Sequence, residues 1–197
     1  PQLSATTASD AAAVFASGLR EQGIAIEGDT TAGSAPDGIA TLATVSSAPL
    51  GDVLRYTLRN SDNTLAEEFG RLVALKIGGQ NTPEGATSAV ADRVKAAGVN
   101  IDGLSMSDCS GLSPGSRIRA ATLAAIQHIN LKPGVAVAAA EGLSITGLVG
   151  TARHRLADDA AAGLIRVKTG SLATATSPAG NVSRTNNGVL RLSPIHI

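Results

Sequence analysis

The stretch Leu164-Ile165-Arg166-Val167-Lys168-Thr169-Gly170 decides the fold, because it reads as a strand that leads directly into the string K-T-G. A second short string, S-D-N, stands upstream at Ser61-Asp62-Asn63. A helix opened by Pro49 runs out at Asn60, and the apolar stripe of a further helix begins at Leu65. The pattern therefore predicts that S-D-N lies in a tight turn between two helices, where short polar side chains point into a cleft.

Helix and strand patterns continue on both sides of these strings. Thr64 and Glu67 have the spacing of a capping box for the helix that follows S-D-N. Asn187-Gly188 is the preferred two-residue turn of a hairpin. The remaining expectations are a helix after Ser9 as N-cap that stops at Gly23, a helix at 86–97, a strand at 99–106, a loop at 107–113, a helix at 116–130 and a hairpin at 181–192.

The composition predicts a domain of ordinary size with a core of small aliphatic side chains. Of the 197 residues 43% are hydrophobic but only 2% are aromatic, so Ala, Val, Leu and Ile must fill the core. Sixteen basic and sixteen acidic residues cancel without forming a basic run, which argues against a nucleic-acid partner. No apolar run reaches membrane-spanning length. Cys109 is the only cysteine, so we expect no internal disulfide and no zinc cluster. No other metal and no cofactor is expected.

S-D-N and K-T-G belong to a set of three strings, and the third, S-x-x-K, is absent. None of the four lysines has a serine three positions before it, since those positions hold Val73, Asp92, Ile129 and Ile165. The chain therefore carries two walls of a serine acyl-transfer site and lacks the nucleophile motif.

With these strings the chain resembles the class C penicillin-binding proteins, the D-alanyl-D-alanine carboxypeptidase/endopeptidase family. The resemblance implies a fold of the α/β class (α+β type), with an antiparallel sheet flanked by helices as in penicillin-binding and serine β-lactamase-like domains. It also implies that residues 1–197 are one partial domain, truncated at both ends. Four stretches carry it: S-D-N running into Ala66-Glu67, the D-x-S-G-L-S-like residues 107–113, Gly150-Thr151 followed by Arg153-His154-Arg155, and residues 167–172.

The resemblance also assigns roles to individual residues. Ser61 would relay a proton toward the leaving D-alanine, Asn63 would hold the substrate amide, and Lys168 would keep the site positive. Thr169 and Ser171 hydroxyls would bind the terminal carboxylate, with the Ser171 N–H as one oxyanion donor. Asp62 and Gly170 complete the expected substrate-binding set, Gly170 by leaving room for substrate along the strand.

The implied substrate is a peptidoglycan stem peptide ending in D-Ala-D-Ala, with β-lactams as inhibitors of the full-length protein and an extracytoplasmic location. Two alternatives stay open. One is a non-catalytic penicillin-binding-protein-like module that binds cell-wall peptide. The other is a class A β-lactamase, which also has S-D-N and K-T-G but would need an E-x-x-L-N string that this chain lacks.

Several features also have plain structural explanations. We expect His128, His154 and His196 to be surface or packing residues, Cys109 to be a small residue in a turn, and Asp108 to form its loop by accepting backbone N–H bonds. Pro178 would remove a ladder hydrogen bond from a central strand, which favours an edge position for the strand that contains it.

Overall fold

The computed structural model describes residues 6–31, 33–34, 37–134, 136–172, 176–184, 186 and 188–193. The chain divides into two compact units, Pro1–Ser46 and Ser47–Ile197. The first unit contains helix α1, Thr7–Glu21, and its other described residues form no helix or strand. Helix α1 begins after Thr6 and not at the predicted cap Ser9, and the chain leaves it through Gly23, whose φ of 80° suits glycine.

The second unit combines helices with a four-stranded antiparallel sheet, which confirms the predicted fold class. The strands follow the order β1-β2-β3-β4 across the sheet. A short 3₁₀ turn, Gly150–Ala152, follows β1. The elements are α2 (Leu50–Asn60), α3 (Asn63–Lys76), α4 (Pro83–Ala96), α5 (Ala120–Asn130), α6 (Val137–Gly142), β1 (Ser144–Ile145), β2 (Ile165–Lys168), β3 (Ala179–Ser183) and β4 (Val189–Leu192).

The turn between α2 and α3 is built by the S-D-N residues themselves. Ser61 ends α2 in the left-handed conformation, with φ 56° and ψ 50°. Asp62 then caps α3, because its carboxylate accepts a hydrogen bond from the Leu65 N–H at 3.0 Å. The predicted capping box of Thr64 and Glu67 is therefore wrong: the cap lies two residues earlier.

Helices α3 and α4 pack closely because small residues face each other. A Cβ atom at Gly70 would overlap the Cys109 sulfur and would lie 3.2 Å from the Cβ of Ala86. Ala74 and Ala86 are both fully buried. Glycine at this position of α3 lets the helix approach both α4 and the 107–113 loop.

Polar contacts fix the remaining helices. Arg55 of α2 bonds to Asp52 at 2.6 Å and to Glu141 of α6 at 3.1 Å. The buried amide of Asn181 in β3 donates to the Gln127 side chain of α5 at 3.1 Å. Helix α5 is thus bonded to the sheet, and helix α6 is bonded to α2.

The core is aliphatic, as the composition predicts. Alanine predominates among the buried apolar residues in the described ranges, joined by Val99, Leu143 and Val167. Several large apolar side chains are exposed, for example Tyr56, which is 56% exposed. Among the described helices, none is both long and apolar enough to cross a membrane.

One strand prediction and one helix prediction need correction, and the hairpin prediction is confirmed. Residues 99–106 form no strand, because the Asn100 side chain accepts the Asp102 N–H at 2.7 Å and turns the chain. Two backbone bonds between Ser105 and Arg117 delay the predicted helix at 116–130, which begins at Ala120. The predicted hairpin is present as β3 and β4, although Asn187 of its turn lies outside the described residues.

Pro178 does not disturb the sheet. It directly precedes β3, which pairs with both β2 and β4. The proline therefore stands outside the ladder of a central strand, and the expectation of an edge strand is wrong.

Candidate active site

The S-D-N turn and the end of β2 meet through one short hydrogen bond. The Lys168 ammonium donates to the Ser61 hydroxyl oxygen at 2.7 Å. It also donates to the Thr169 backbone carbonyl at 2.7 Å. The structure therefore brings together the serine of the first string and the lysine of the second, which are separated by more than half of the chain.

The left-handed conformation of Ser61 contributes to this contact. A non-glycine residue with positive φ is uncommon and costs of order 1 kcal/mol. Ser61 and Leu156 are the non-glycine residues with positive φ in the described ranges. At Ser61 the conformation closes α2 and starts α3 after one intervening residue, Asp62, so the half-buried hydroxyl is held at the Lys168 ammonium.

Lys168 is a half-buried cation, and no carboxylate lies within ion-pair distance of it in the described part of the chain. Burial lowers its pKa below the ordinary value for lysine. An anionic ligand at this position would offset the cost of burying the charge. Two of the three ammonium protons are used by Ser61 and Thr169, which leaves one for such a ligand.

The backbone after Lys168 is held close to the residues that precede β3. The Ser177 N–H donates to the Gly170 carbonyl at 3.0 Å, and a Cβ at Gly170 would lie 2.9 Å from the Ser177 carbonyl oxygen. Ser171 forms an isolated antiparallel bridge with Thr176 and is exposed. The extended run from β2 therefore continues past K-T-G, with Gly170 at the closest approach.

A chain of hydroxyl groups joins K-T-G to the end of α2. The Thr169 and Thr151 hydroxyl oxygens are 2.8 Å apart, and Thr151 and Ser144 are 3.1 Å apart. Ser144, which is fully buried, donates to the Arg59 carbonyl at 3.1 Å and accepts from the Thr151 N–H at 3.1 Å. No pattern in the sequence indicated a role for Ser144 or for the Thr151 hydroxyl.

Gly150 brings this chain close to α2. Its φ is 72°, and a Cβ there would overlap the Ser144 hydroxyl and lie 2.6 Å from the Arg59 carbonyl oxygen. Glycine is needed here both for the conformation and for the space. The Gly150-Thr151 pair noticed in the sequence is thus a close-packed support for the two strings.

The 107–113 loop is organised by two carboxylates. Asp108 accepts from the Ser110 hydroxyl and from the N–H groups of Gly111 and Ser113, as predicted. Partial burial raises its pKa, but the bonds from Ser113, Gly111 and Ser110 outweigh burial and leave the pKa lowered. Glu67 accepts the N–H groups of Cys109 and Ser110 at 3.0 and 2.8 Å, a role that the sequence did not reveal.

The other two residues of S-D-N, Asp62 and Asn63, are not bonded to the contact between Ser61 and Lys168. Asn63 is exposed at the first position of α3, and Asp62 uses its carboxylate as the cap of that helix. Neither is hydrogen-bonded to Ser61 or Lys168, and their substrate contacts stay predictions.

Within the described residues, the histidines and Cys109 are not arranged as a second site. His128 and His154 are exposed, and His196 lies outside the described residues. Burial, together with the charges of Glu67 and Asp108, raises the pKa of the half-buried Cys109 thiol, which argues against a thiolate nucleophile. No group of three His, Cys, Asp or Glu side chains suited to a metal ion occurs in the described ranges.

The chain matches a known protein family and known carboxypeptidases over most of its length. Residues 3–195 match the D-Ala-D-Ala carboxypeptidase 3 (S13) family. Carboxypeptidase DacB of Mycolicibacterium smegmatis is 36% identical over 203 residues, covering 98% of this chain and 42% of the relative. D-alanyl-D-alanine carboxypeptidase of an Actinomadura species is 26% identical over 177 residues, covering 86% of this chain and 33% of the relative.

The fold also matches a solved protein. Penicillin binding protein 4 (dacB) of Haemophilus influenzae superposes with a TM-score of 0.82 at 26% identity, covering 94% of this chain and 42% of that one. The same protein has been solved with a bound β-lactam. This chain thus spans less than half the length of the proteins that it matches.

Proposed function

The chain belongs to the D-Ala-D-Ala carboxypeptidase 3 (S13) family, and from that premise we propose that it supplies two walls of a serine carboxypeptidase site. The substrate would be a peptidoglycan stem peptide ending in D-Ala-D-Ala, cleaved through an acyl-enzyme. In this proposal residues 1–197 are part of a single penicillin-binding domain. Without an S-x-x-K nucleophile the chain alone would neither hydrolyse such peptides nor react with penicillin.

The hydrogen bond between Lys168 and Ser61 carries the proposal. An ammonium group has protons only to donate, so the Ser61 oxygen is the acceptor at 2.7 Å. The hydroxyl proton of Ser61 is then free to point away from Lys168. A serine polarised in this way is suited to pass a proton to a leaving amine, which is the relay role that the family resemblance assigns to it.

The charge of Lys168 suits the chemistry of the substrate. Acyl transfer from a D-Ala-D-Ala peptide places a terminal carboxylate and a developing oxyanion in one cleft. Lys168 is the half-buried cation at the meeting of the two strings, and burial lowers its pKa. Bound anionic substrate would stabilise its charged form. Thr169, Gly170 and Ser171 would line the carboxylate end of the substrate, with Asn63 and Asp62 on the opposite wall.

The proposal extends to partners and location. Stem peptides of peptidoglycan are found outside the cytoplasm, so a carboxypeptidase that acts on them would work in the periplasm or cell wall. β-Lactams would inhibit the longer protein, because they mimic the D-Ala-D-Ala end and acylate the same nucleophile.

A binding module is the second candidate, because the contact between Lys168 and Ser61 forms without any S-x-x-K residue. Such a module would use the same Lys168 and Ser61 surface to hold a D-Ala-D-Ala peptide without cleaving it. A complete reading frame with S-x-x-K would identify an enzyme, and one without it would identify the binding module.

Peptide binding tests the surface that both candidates share. We expect an N-acylated D-Ala-D-Ala peptide to bind this chain more tightly than its L-Ala-L-Ala counterpart in an NMR titration. Lys168→Met should raise Kd about tenfold or more, because a bond to a charged group contributes roughly 1.5–3 kcal/mol. Lys95→Met, at an exposed position of α4, is the matched control. Equal affinity for the two peptides, or no effect of Lys168→Met, would contradict the proposal.

A further inference from the structure

The hydroxyl chain from Thr169 to Arg59 has a defined direction. A carbonyl oxygen only accepts, a backbone N–H only donates, and each hydroxyl carries a single proton. Ser144 gives its proton to the Arg59 carbonyl, so it has none for Thr151. Thr151 must therefore donate to Ser144. The Thr151 proton is then used, so Thr169 must donate to Thr151 across the 2.8 Å contact.

This direction conflicts with carboxylate binding by Thr169. In the unliganded site the Thr169 proton points inward to Thr151, and the Thr169 hydroxyl presents only its lone pairs to the cleft. A carboxylate accepts hydrogen bonds and cannot donate one. Thr169 can serve it only if its proton turns outward, and Thr151 must then stop accepting from Thr169.

This series of hydrogen bonds can reverse at Thr151 with the loss of one bond, the one that Thr151 donates to Ser144. If Thr151 turns its proton from Ser144 to Thr169, Thr169 can donate to the carboxylate while it accepts from Thr151. Ser144 keeps both of its backbone partners, the Arg59 carbonyl and the Thr151 N–H, in either arrangement. Hydrogen bonds in such a series polarise one another, so donation from Thr151 would make the Thr169 proton a better donor.

We propose that Thr151 is a positioning residue that holds the Thr169 hydroxyl and reverses its hydrogen bond when the substrate carboxylate binds. The inference rests on the proposed function. Thr151 is itself exposed, but its neighbours are tightly packed, because Ser144 and Ala152 are fully buried and Gly150 lies against Arg59 without room for a side chain. Arg59 stands two residues before Ser61, so the same support carries both walls of the site.

The test separates carboxylate recognition from general binding. Kd would be measured for an N-acylated D-Ala-D-Ala peptide and for the same peptide ending in a carboxamide. Thr151→Val keeps the shape of the side chain and removes its hydroxyl, and Thr151→Ser keeps the hydroxyl. Without the Thr151 hydroxyl, Thr169 loses the partner that holds its oxygen in place and polarises its proton in the liganded site. The carboxylate preference should therefore fall about fivefold or more in Thr151→Val and be retained in Thr151→Ser.

Two further variants sharpen the comparison. In Thr151→Val a methyl group replaces the hydroxyl, and its bulk alone can displace Thr169. Thr151→Ala lacks this group, and it should lower the carboxylate preference as Thr151→Val does. Thr87→Val removes a hydroxyl that bonds within α4, and it should leave the preference unchanged.

Each outcome has a distinct meaning. If wild type shows no preference for the carboxylate, the proposed function fails and this inference fails with it. If wild type shows the preference and both Thr151→Val and Thr151→Ala retain it, the proposed function stands and the role of Thr151 is refuted. Equal weakening of both peptides in the variants, with the ratio unchanged, would show a structural role only and would also refute the inference.

Discussion

Replacing Glu67 by alanine removes the one carboxylate that joins α3 to the 107–113 loop. Its Oε1 atom accepts the Cys109 and Ser110 N–H groups at 3.0 and 2.8 Å. A donor left without a partner costs about 1–3 kcal/mol when buried. Because these residues are only half-buried, water satisfies part of the loss, and we expect about 2 kcal/mol for the two groups together.

That loss should be visible both globally and locally. For a chain of this size 1 kcal/mol lowers Tm by roughly 2–4 °C, so Glu67→Ala should lower Tm by about 4–8 °C in a thermal melt. Amide hydrogen exchange should accelerate at Cys109 and Ser110 first. Glu67→Gln keeps an acceptor oxygen and should cost less than the alanine variant.

Glu68→Ala is the matched control, because Glu68 is the exposed neighbour on the same helix. It should change Tm little and leave the exchange of the loop amides as in wild type. If Glu67→Ala melted like Glu68→Ala and the Cys109 and Ser110 amides stayed protected, Glu67 would not hold the loop.

Three further predictions concern Lys168, the Gly150 support of the two strings, and the reactivity of the chain. Burial lowers the pKa of Lys168 in the folded chain below the value of 10.5 that applies to the unfolded chain. At pH values between the two, the unfolded chain binds more protons than the folded chain, so the free energy of unfolding rises with pH. The free energy of unfolding of wild type minus that of Lys168→Met, from urea titrations, should therefore increase as pH approaches 10.5; a difference constant with pH would contradict this. Gly150→Ala should lower the free energy of unfolding by about 2–4 kcal/mol in the same titrations, because alanine is strained at a positive φ and its Cβ would clash with Arg59 and Ser144. Gly33→Ala, with open space around it, should lower that free energy by less than about 1 kcal/mol. Incubated with a penicillin, the 197-residue chain should show no added mass by intact-mass spectrometry, and a stoichiometric adduct on one serine would reveal an unrecognised nucleophile.

Local patterns predicted the S-D-N turn well. A proline opens one helix and an apolar stripe marks the next, which predicts a short polar turn between them. The structure has this turn, with Ser61 and Asp62 between α2 and α3 and Asn63 as the first residue of α3. The strand before K-T-G was also predicted from a local pattern, since Ile165 and Val167 alternate with Arg166 and Lys168. The meeting of Ser61 with Lys168 came only from the family resemblance, because no local pattern specifies a contact between such distant residues.

The errors arose where tertiary contacts or short polar side chains overrode a local pattern. Glu67 has the spacing for a capping box, yet its carboxylate bonds to a loop more than 40 residues away. Residues 99–106 have strand composition, but Asn100 turns the backbone at their start. The hydroxyl chain was invisible because Arg59, Ser144, Thr151 and Thr169 come from four separate segments.

The rate of acylation by penicillin tests the central claim most directly, in a longer protein that joins this chain to an S-x-x-K nucleophile. Lys168→Ala should lower that rate about 10²–10³-fold while the fold stays intact, because it removes a preorganised charge beside the developing oxyanion. Lys95→Ala, on the exposed face of α4, should leave the rate unchanged. Near-normal acylation of a folded Lys168→Ala protein would show that the lysine held against Ser61 is not part of the reacting site.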